Sequence, residues 1–241
     1  MDGLLLLHAF PVDARMWDGQ RGGAATLAPD LPGFGGSAGA EGGVMTMAAA
    51  ARRGLDAIDE AGWDRAVVCG LSMGGYVAFE LWRTAPERIA GLILANTRAG
   101  ADTPEGAEGR RALAARLRTE GNVLVDSPPP LLSETPSEGL WDTVKGWIGD
   151  QAPEAIAAAA LGMAERPDST PDLGGITVPT LVITSDGDTL IPPEVSSPMA
   201  EQIPGARLAV IPGAGHLSNL EDPRTFSGLL REHAERCGVT P

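Results

Sequence analysis

Ala66-Val67-Val68-Cys69-Gly70-Leu71-Ser72-Met73-Gly74-Gly75 is the stretch that decides how this chain folds. Its first four residues are an unbroken apolar run, the pattern of a strand buried on both faces. Residues 73–84 follow with apolar side chains at helical spacing, and Pro86 stands just beyond them. Between the two lies Gly70-Leu71-Ser72-Met73-Gly74, a G-x-S-x-G pattern on a strand–turn–helix. A serine on so sharp a turn is held in strained backbone geometry, and side chains at positions 70 and 74 would collide across it. Gly75 lets the helix pack closely on the sheet. The pattern recurs at Gly35-Gly36-Ser37-Ala38-Gly39, but no strand precedes Ser37 and no helical pattern follows it. Ser72 is the candidate nucleophile; the plainer reading is a helix N-cap serine.

Strand and helix alternate outward from this stretch. Short strands are expected at residues 4–7, 26–29, 89–95, 178–184 and 207–211, and helices at 45–61, 193–203 and 223–236. Residues 100–172 differ. They carry no buried-strand run, only helical stretches at 109–119, 140–148 and 153–163, broken by Pro128-Pro129-Pro130. The alternation predicts an α/β fold with a doubly wound, mostly parallel sheet of about six strands and right-handed crossovers. The core takes residues 1–99 and 173–241, and 100–172 form a helical cap insertion.

Composition narrows the chemistry. The 241 residues hold 32 acidic against 18 basic side chains, a net charge of −14. Phosphate backbones and anionic lipid repel such a chain, so neither nucleic acid nor membrane is an expected partner. No apolar run approaches the roughly 20 residues of a spanning helix, and Asp2 stands where a secretory signal carries cationic residues. The lone lysine, Lys145, follows no glycine-rich loop, so there is no phosphate-cradling P-loop. Cys69 and Cys237 lack metal-like spacing and suit a reduced cytosol, so a cytoplasmic location is expected. The three histidines are too scattered for a metal centre. Neither cofactor nor metal is implied.

A nucleophilic serine needs a base, and there are three candidates. His216 follows a strand in Pro212-Gly213-Ala214-Gly215-His216, a glycine loop from which it can reach the sheet's carboxyl edge. His233 belongs to the apolar stripe of the last helix, with Phe226, Leu229, Leu230 and Cys237, where packing is the expected role. His8 ends the first strand; a structural hydrogen bond to nearby backbone is expected, with a role as alternative base left open. The base in turn needs an orienting carboxylate. Thr184-Ser185-Asp186-Gly187-Asp188 offers two. Asp188 is preferred because Ile191-Pro192-Pro193 fixes the chain after it, while Asp186 suits a turn. After the strand at 89–95 stands Asn96, not a carboxylate.

Four motifs in this order resemble the α/β-hydrolase superfamily over essentially the whole chain: His8-Ala9-Phe10-Pro11, Asp30-Leu31-Pro32-Gly33-Phe34-Gly35, the turn around Ser72, and Gly213-Ala214-Gly215-His216. His216-Leu217-Ser218-Asn219-Leu220-Glu221 is most similar to the serine esterase and 3-oxoadipate enol-lactonase branch. The resemblance implies that the backbone N–H groups of Phe10 and Met73 form the oxyanion hole. It also implies that strands 4–7 and 66–69 are neighbours, with the strand order reversing between them at the ligand-binding crevice. Ala9 replaces the glycine usual after the histidine. The chain also starts almost at the strand the family normally reaches third, so the family's first strands are expected to be absent and strand 26–29 to be an edge. An exposed edge invites pairing, so either a homodimer covers it or the natural start lies earlier.

The function this implies is hydrolysis of a small carboxylic ester or lactone through an acyl-enzyme, with Ser72, Asp188 and His216 as a triad. The alternatives are a C–C bond hydrolase or enol-lactonase of aromatic catabolism, or a non-catalytic small-molecule binding protein on the same fold. Trp141, Trp147 and Met163 are candidates for the acyl pocket. A neutral ester is the expected substrate, because a chain of charge −14 repels an anion unless the pocket supplies a cation. Arg98, Arg110 and Arg111 are the candidates for that cation.

Overall fold

A computed structural model describes residues 1–23 and 25–240; residues 24 and 241, which fall in the stretches expected to form the core, lie outside the described residues. Six strands form one sheet: β1 (Asp2–Leu7), β2 (Thr26–Leu27), β3 (Arg65–Leu71), β4 (Ile89–Ala95), β5 (Thr180–Ser185) and β6 (Arg207–Ile211). All neighbours run parallel, in the order β2-β1-β3-β4-β5-β6. Leu4 of β1 lies opposite Val67 of β3, and β2 takes the other side of β1. The order thus reverses between β1 and β3, and ligands of open α/β sheets bind beyond the carboxyl ends there. Every residue of β4 is buried, which is why it reads as a continuous apolar run instead of an alternating one.

The edges are the weak strands. β2, expected at 26–29, stops at Leu27, since Pro29 has no N–H to add to the ladder. So short an edge offers little to a pairing strand. At the other edge, β6 alternates, leaving Leu208 and Val210 about half exposed.

α1 (Met47–Glu60) begins at Thr46, whose side chain accepts the Ala49 N–H. α2 (Met73–Thr84) packs against it, and a Cβ on Gly54 of α1 would touch Leu5 and Leu7 of β1 and Leu81 of α2. Among the described residues, 100–172 add no strand; they form α3 (Pro104–Glu120), α4 (Leu140–Gly149) and α5 (Pro153–Ala164). α3 starts at Pro104 instead of the expected 109. Thr103 accepts the Gly106 N–H and Pro104 takes the first helical position, a start signal that outweighs the two glycines after it. The alanine-rich α5 is buried over Ile156–Ala160 and at Gly162 and Met163. Its Gly162 lies so close to the chain before α1 that a Cβ would overlap the Met45 carbonyl, and Met45 N–H donates to the Ala158 carbonyl at 3.0 Å.

The single helix expected over 193–203 is instead two short ones, α6 (Pro193–Ser196) and α7 (Pro198–Gln202). Pro198 cannot continue a hydrogen-bond ladder and begins a new turn. α8 (Ser218–Glu221) and α9 (Pro223–Arg236) end the fold. No helix of the described residues is long and apolar enough to cross a membrane.

Candidate active site

Ser72 sits between β3 and α2 with φ 56° and ψ −114°, a left-handed conformation that a side chain adopts only when its surroundings impose it. The surroundings are visible. A Cβ on Gly70 would overlap the Gly74 carbonyl, one on Gly74 the Leu7 carbonyl of β1, and one on Gly75 the Thr97 side chain. The turn is pinned by the Ser72 N–H donating to the Ala95 carbonyl at 2.9 Å and by the Thr97 hydroxyl donating to the Ser72 carbonyl at 2.8 Å. Gly74→Ala therefore forces β1 and α2 apart. It is expected to cost about 3 kcal/mol or more, the upper range for overpacking, read as a large fall in melting temperature. A variant that melts like the parent would contradict the steric account.

His216 emerges from the loop after β6, fully buried. Its Nδ1 meets Asp188 Oδ2 at 2.8 Å. With the proton on Nδ1, the other nitrogen carries the lone pair; Nε2 is buried and has no hydrogen-bond partner among the described residues. Asp188 is held by three further donors. Asn96 Nδ2 donates to Oδ2 at 2.9 Å, and the N–H groups of Leu190 and Ile191 each donate to Oδ1 at 2.9 Å. Burial pushes the Asp188 carboxyl up, but His216, the Ile191 N–H and Asn96 outweigh it and hold it below the usual carboxylate range. It is ionised at neutral pH.

The residues that support this pair carry no catalytic signature in the sequence. Asn96, at φ 43° after β4, also donates to Ser185 Oγ at 2.7 Å and accepts from Ser218 Oγ at 2.7 Å. Ser185 Oγ donates to the Gly215 carbonyl at 2.6 Å, directly before His216. Glu221 accepts the Gly215 N–H at 2.5 Å and the Ser133 hydroxyl at 2.6 Å, tying the histidine loop to the helical insertion. A polar residue closing an all-apolar strand was the one available signal, and it marked Asn96.

The remaining candidates separate cleanly. His8 is fully buried, with Nδ1 donating to the Ala9 carbonyl at 3.0 Å and Nε2 accepting the Leu31 N–H at 3.0 Å. Both nitrogens are occupied and burial lowers its pKa, so it joins two backbone segments and has no free nitrogen to act as a base. His233 Nε2 meets the Pro179 carbonyl at 3.2 Å, a packed histidine on α9. Asp186 is exposed and accepts the Gly213 N–H at 2.5 Å, as a turn former does. Ser37 lies in a turn, its N–H on the Phe34 carbonyl.

A cavity of about 400 Å³ opens at Ser72, lined also by Phe10, Tyr76, Arg98, Arg110, Leu113, Leu124, Met163 and Leu190 among others. Of the pocket candidates, Met163 and Arg98 are among the lining residues. Trp141 and Trp147 are not: neither lines the cavity, and both pack partly buried against the core. Their apolar faces are used in docking α4, which the sequence does not distinguish from lining a pocket. Of the two expected oxyanion donors, Phe10 borders the cavity. Met73 is the first residue of α2, where an N–H has no intrahelical partner. Arg111 is half exposed and pairs with Glu108, away from the cavity. Among the described residues, no three of His, Cys, Asp and Glu gather as a metal ion would require.

Comparison with known proteins identifies the family of this fold. The family model described as the alpha/beta hydrolase family matches residues 4–229. A thermophilic esterase from Thermogutta terrifontis, solved with malate bound, is 40% identical; the match covers 98% of this chain and 90% of that one, with a TM-score of 0.93. The enol-lactonase from Burkholderia xenovorans LB400 is 26% identical, covering 98% of this chain and 92% of that one at a TM-score of 0.86. A pimeloyl-acyl-carrier-protein methyl ester esterase of Neisseria meningitidis is 28% identical over 176 residues, 70% of this chain and 56% of its own length. This chain thus spans little more than half of that relative. A family match running from β1 into α9, on a fold shared at 40% identity, makes this chain a member of the α/β hydrolase family.

Proposed function

We propose that this protein is a serine hydrolase that cleaves a small carboxylic ester or lactone through an acyl-enzyme. The observation that carries the reading is the Asp188–His216 pair at 2.8 Å, its imidazole left with one unpartnered buried nitrogen, in the same fold as a strained serine facing a cavity. Esterase and lactonase relatives at 40% and 26% identity support the same reaction class.

In the first half-reaction Ser72 Oγ attacks the carbonyl carbon as His216 Nε2 takes its proton. Asp188 keeps the imidazole proton on Nδ1 and stabilises the imidazolium. The carbonyl oxygen becomes an oxyanion met by the N–H groups of Phe10 and Met73, each worth about 3 kcal/mol in sites of this kind. The intermediate collapses, and the alcohol leaves with the proton from His216. Water then attacks the acyl-serine by the same route, giving the acid and free Ser72. Residues 100–172 act as the cap, with Arg110, Leu113 and Met163 forming one wall of the cavity.

The test is p-nitrophenyl acetate under rapid mixing. The expected result is a burst of nitrophenolate stoichiometric with enzyme, followed by slower turnover, as an acyl-enzyme demands. Absence of any turnover overturns the reading.

A further inference from the structure

Three arginines converge on one buried carboxylate beside the cavity. Asp102, its side chain 2% exposed, takes Arg98 Nη2 on Oδ1 at 2.7 Å, Arg166 Nη1 on the same oxygen at 3.0 Å, and Arg110 Nε on Oδ2 at 2.5 Å. Arg166 is buried, stacked on the Tyr76 ring at 4.1 Å; its Nη1 also donates to the Met163 carbonyl and its Nη2 to the Gly100 carbonyl. Arg166 alone would neutralise Asp102. The other two guanidiniums are therefore surplus, and both line the cavity that Ser72 faces.

The cluster carries a net charge of +2 in a chain of −14. Among the described residues the cavity wall holds these two arginines and no acidic side chain. Apart from Asp102, Asp188 approaches that wall through Leu190 and Ile191, but it is 2% exposed and has four donors on it. Arg98 and Arg110 each spend one hydrogen bond on Asp102, and Arg98 Nε is buried with no partner. A guanidinium has five N–H donors in a fixed fork, so most of theirs remain for a ligand. A carboxylate accepts such a fork at two oxygens.

We infer that the substrate is an ester or lactone bearing a free carboxylate, gripped by Arg98 and Arg110 while Ser72 faces the scissile carbonyl. Asp102 is a positioning residue: it anchors both guanidiniums through their inner donors and turns the rest to the cavity. This reverses the neutral-ester expectation drawn from overall charge, because a wall within hydrogen-bond reach outweighs screened surface charge many ångströms away. The inference rests on the hydrolase reading for its chemistry, though its binding part stands without it.

The experiment compares monoethyl with diethyl esters of succinate and adipate, pairs that differ chiefly in the free carboxylate. The wild-type protein should hydrolyse the better half-ester with kcat/KM at least tenfold above its diester. Arg98→Gln and the double variant with Arg110→Gln should bring that ratio to within threefold, Arg98→Lys should keep part of it, and Arg111→Gln should keep all of it. Equal or better use of the diester by wild type, or a preference that survives the double variant, overturns the inference. Calorimetry on the Ser72→Ala protein separates it from the hydrolase reading. Half-ester binding at least tenfold tighter than diester binding supports the clamp even if no ester is ever cleaved. Equal binding defeats the clamp even if neutral esters turn over.

Discussion

Ser72→Ala should lower kcat for ester hydrolysis by about 10⁶, the scale on which removing a nucleophile silences a serine hydrolase, while the melting temperature stays near that of the parent. The two halves of this expectation have different causes. Activity falls because no other hydroxyl can take its place on the elbow: Ser37 lies in a remote turn and does not line the cavity. Stability persists because the Ser72 side chain makes no capping hydrogen bond, so its removal leaves no buried partner unsatisfied. The positive φ remains in the variant, imposed by the same contacts of Gly70, Gly74 and Thr97. His216→Ala should be comparably inactive, and Ser37→Ala should match wild type in both measurements. Full activity in Ser72→Ala, or an inactive Ser37→Ala, would transfer the nucleophile elsewhere.

Asp188→Asn should cut kcat by about 10⁴ through the wrong imidazole tautomer, and the surrounding hydrogen bonds dictate which way the new amide turns. Oδ1 accepts two backbone N–H groups, from Leu190 and Ile191, so the amide oxygen must stay there. The NH₂ then occupies the place of Oδ2, facing His216 Nδ1. It can only donate, so Nδ1 must accept and the imidazole proton moves to Nε2, where it blocks proton abstraction from Ser72. The same NH₂ also faces Asn96 Nδ2, donor against donor. Asn96 cannot flip freely, because its two ends serve Ser185 and Ser218. Asp186→Asn touches only an exposed turn and should change kcat by less than about threefold, the range of ordinary surface substitutions. Steady-state kinetics on the two variants decides the matter, and the reverse ordering would move the orienting carboxylate to Asp186.

Much of this candidate site is legible in the sequence. The elbow was legible because its steric demands lie within a few residues: an apolar run, glycines at 70 and 74, and a helix start. The buried strands were legible from runs such as residues 89–95, which no solvated segment would carry. His216 stands out as the candidate base because the glycine loop after residues 207–211 is the one setting among the three histidines that frees a side chain to reach the sheet's carboxyl edge. The break at Pro198 and the start of α3 at Pro104, capped by Thr103, are also written locally.

What the sequence by itself determined about this protein is therefore the parallel sheet and the strained serine, each specified by short-range sterics and the burial of apolar runs. Only the tertiary structure decided which carboxylate meets His216, that Asn96 and Ser218 brace it, that Trp141 and Trp147 pack while Arg98 and Arg110 face the cavity. Asp102 shows the reason. It draws together Arg98, Arg110 and Arg166 from three separate segments, and two of these arginines, Arg98 and Arg110, line the cavity. Interactions between side chains far apart in sequence depend on where loops and helices come to rest, and no periodicity or local propensity encodes that placement.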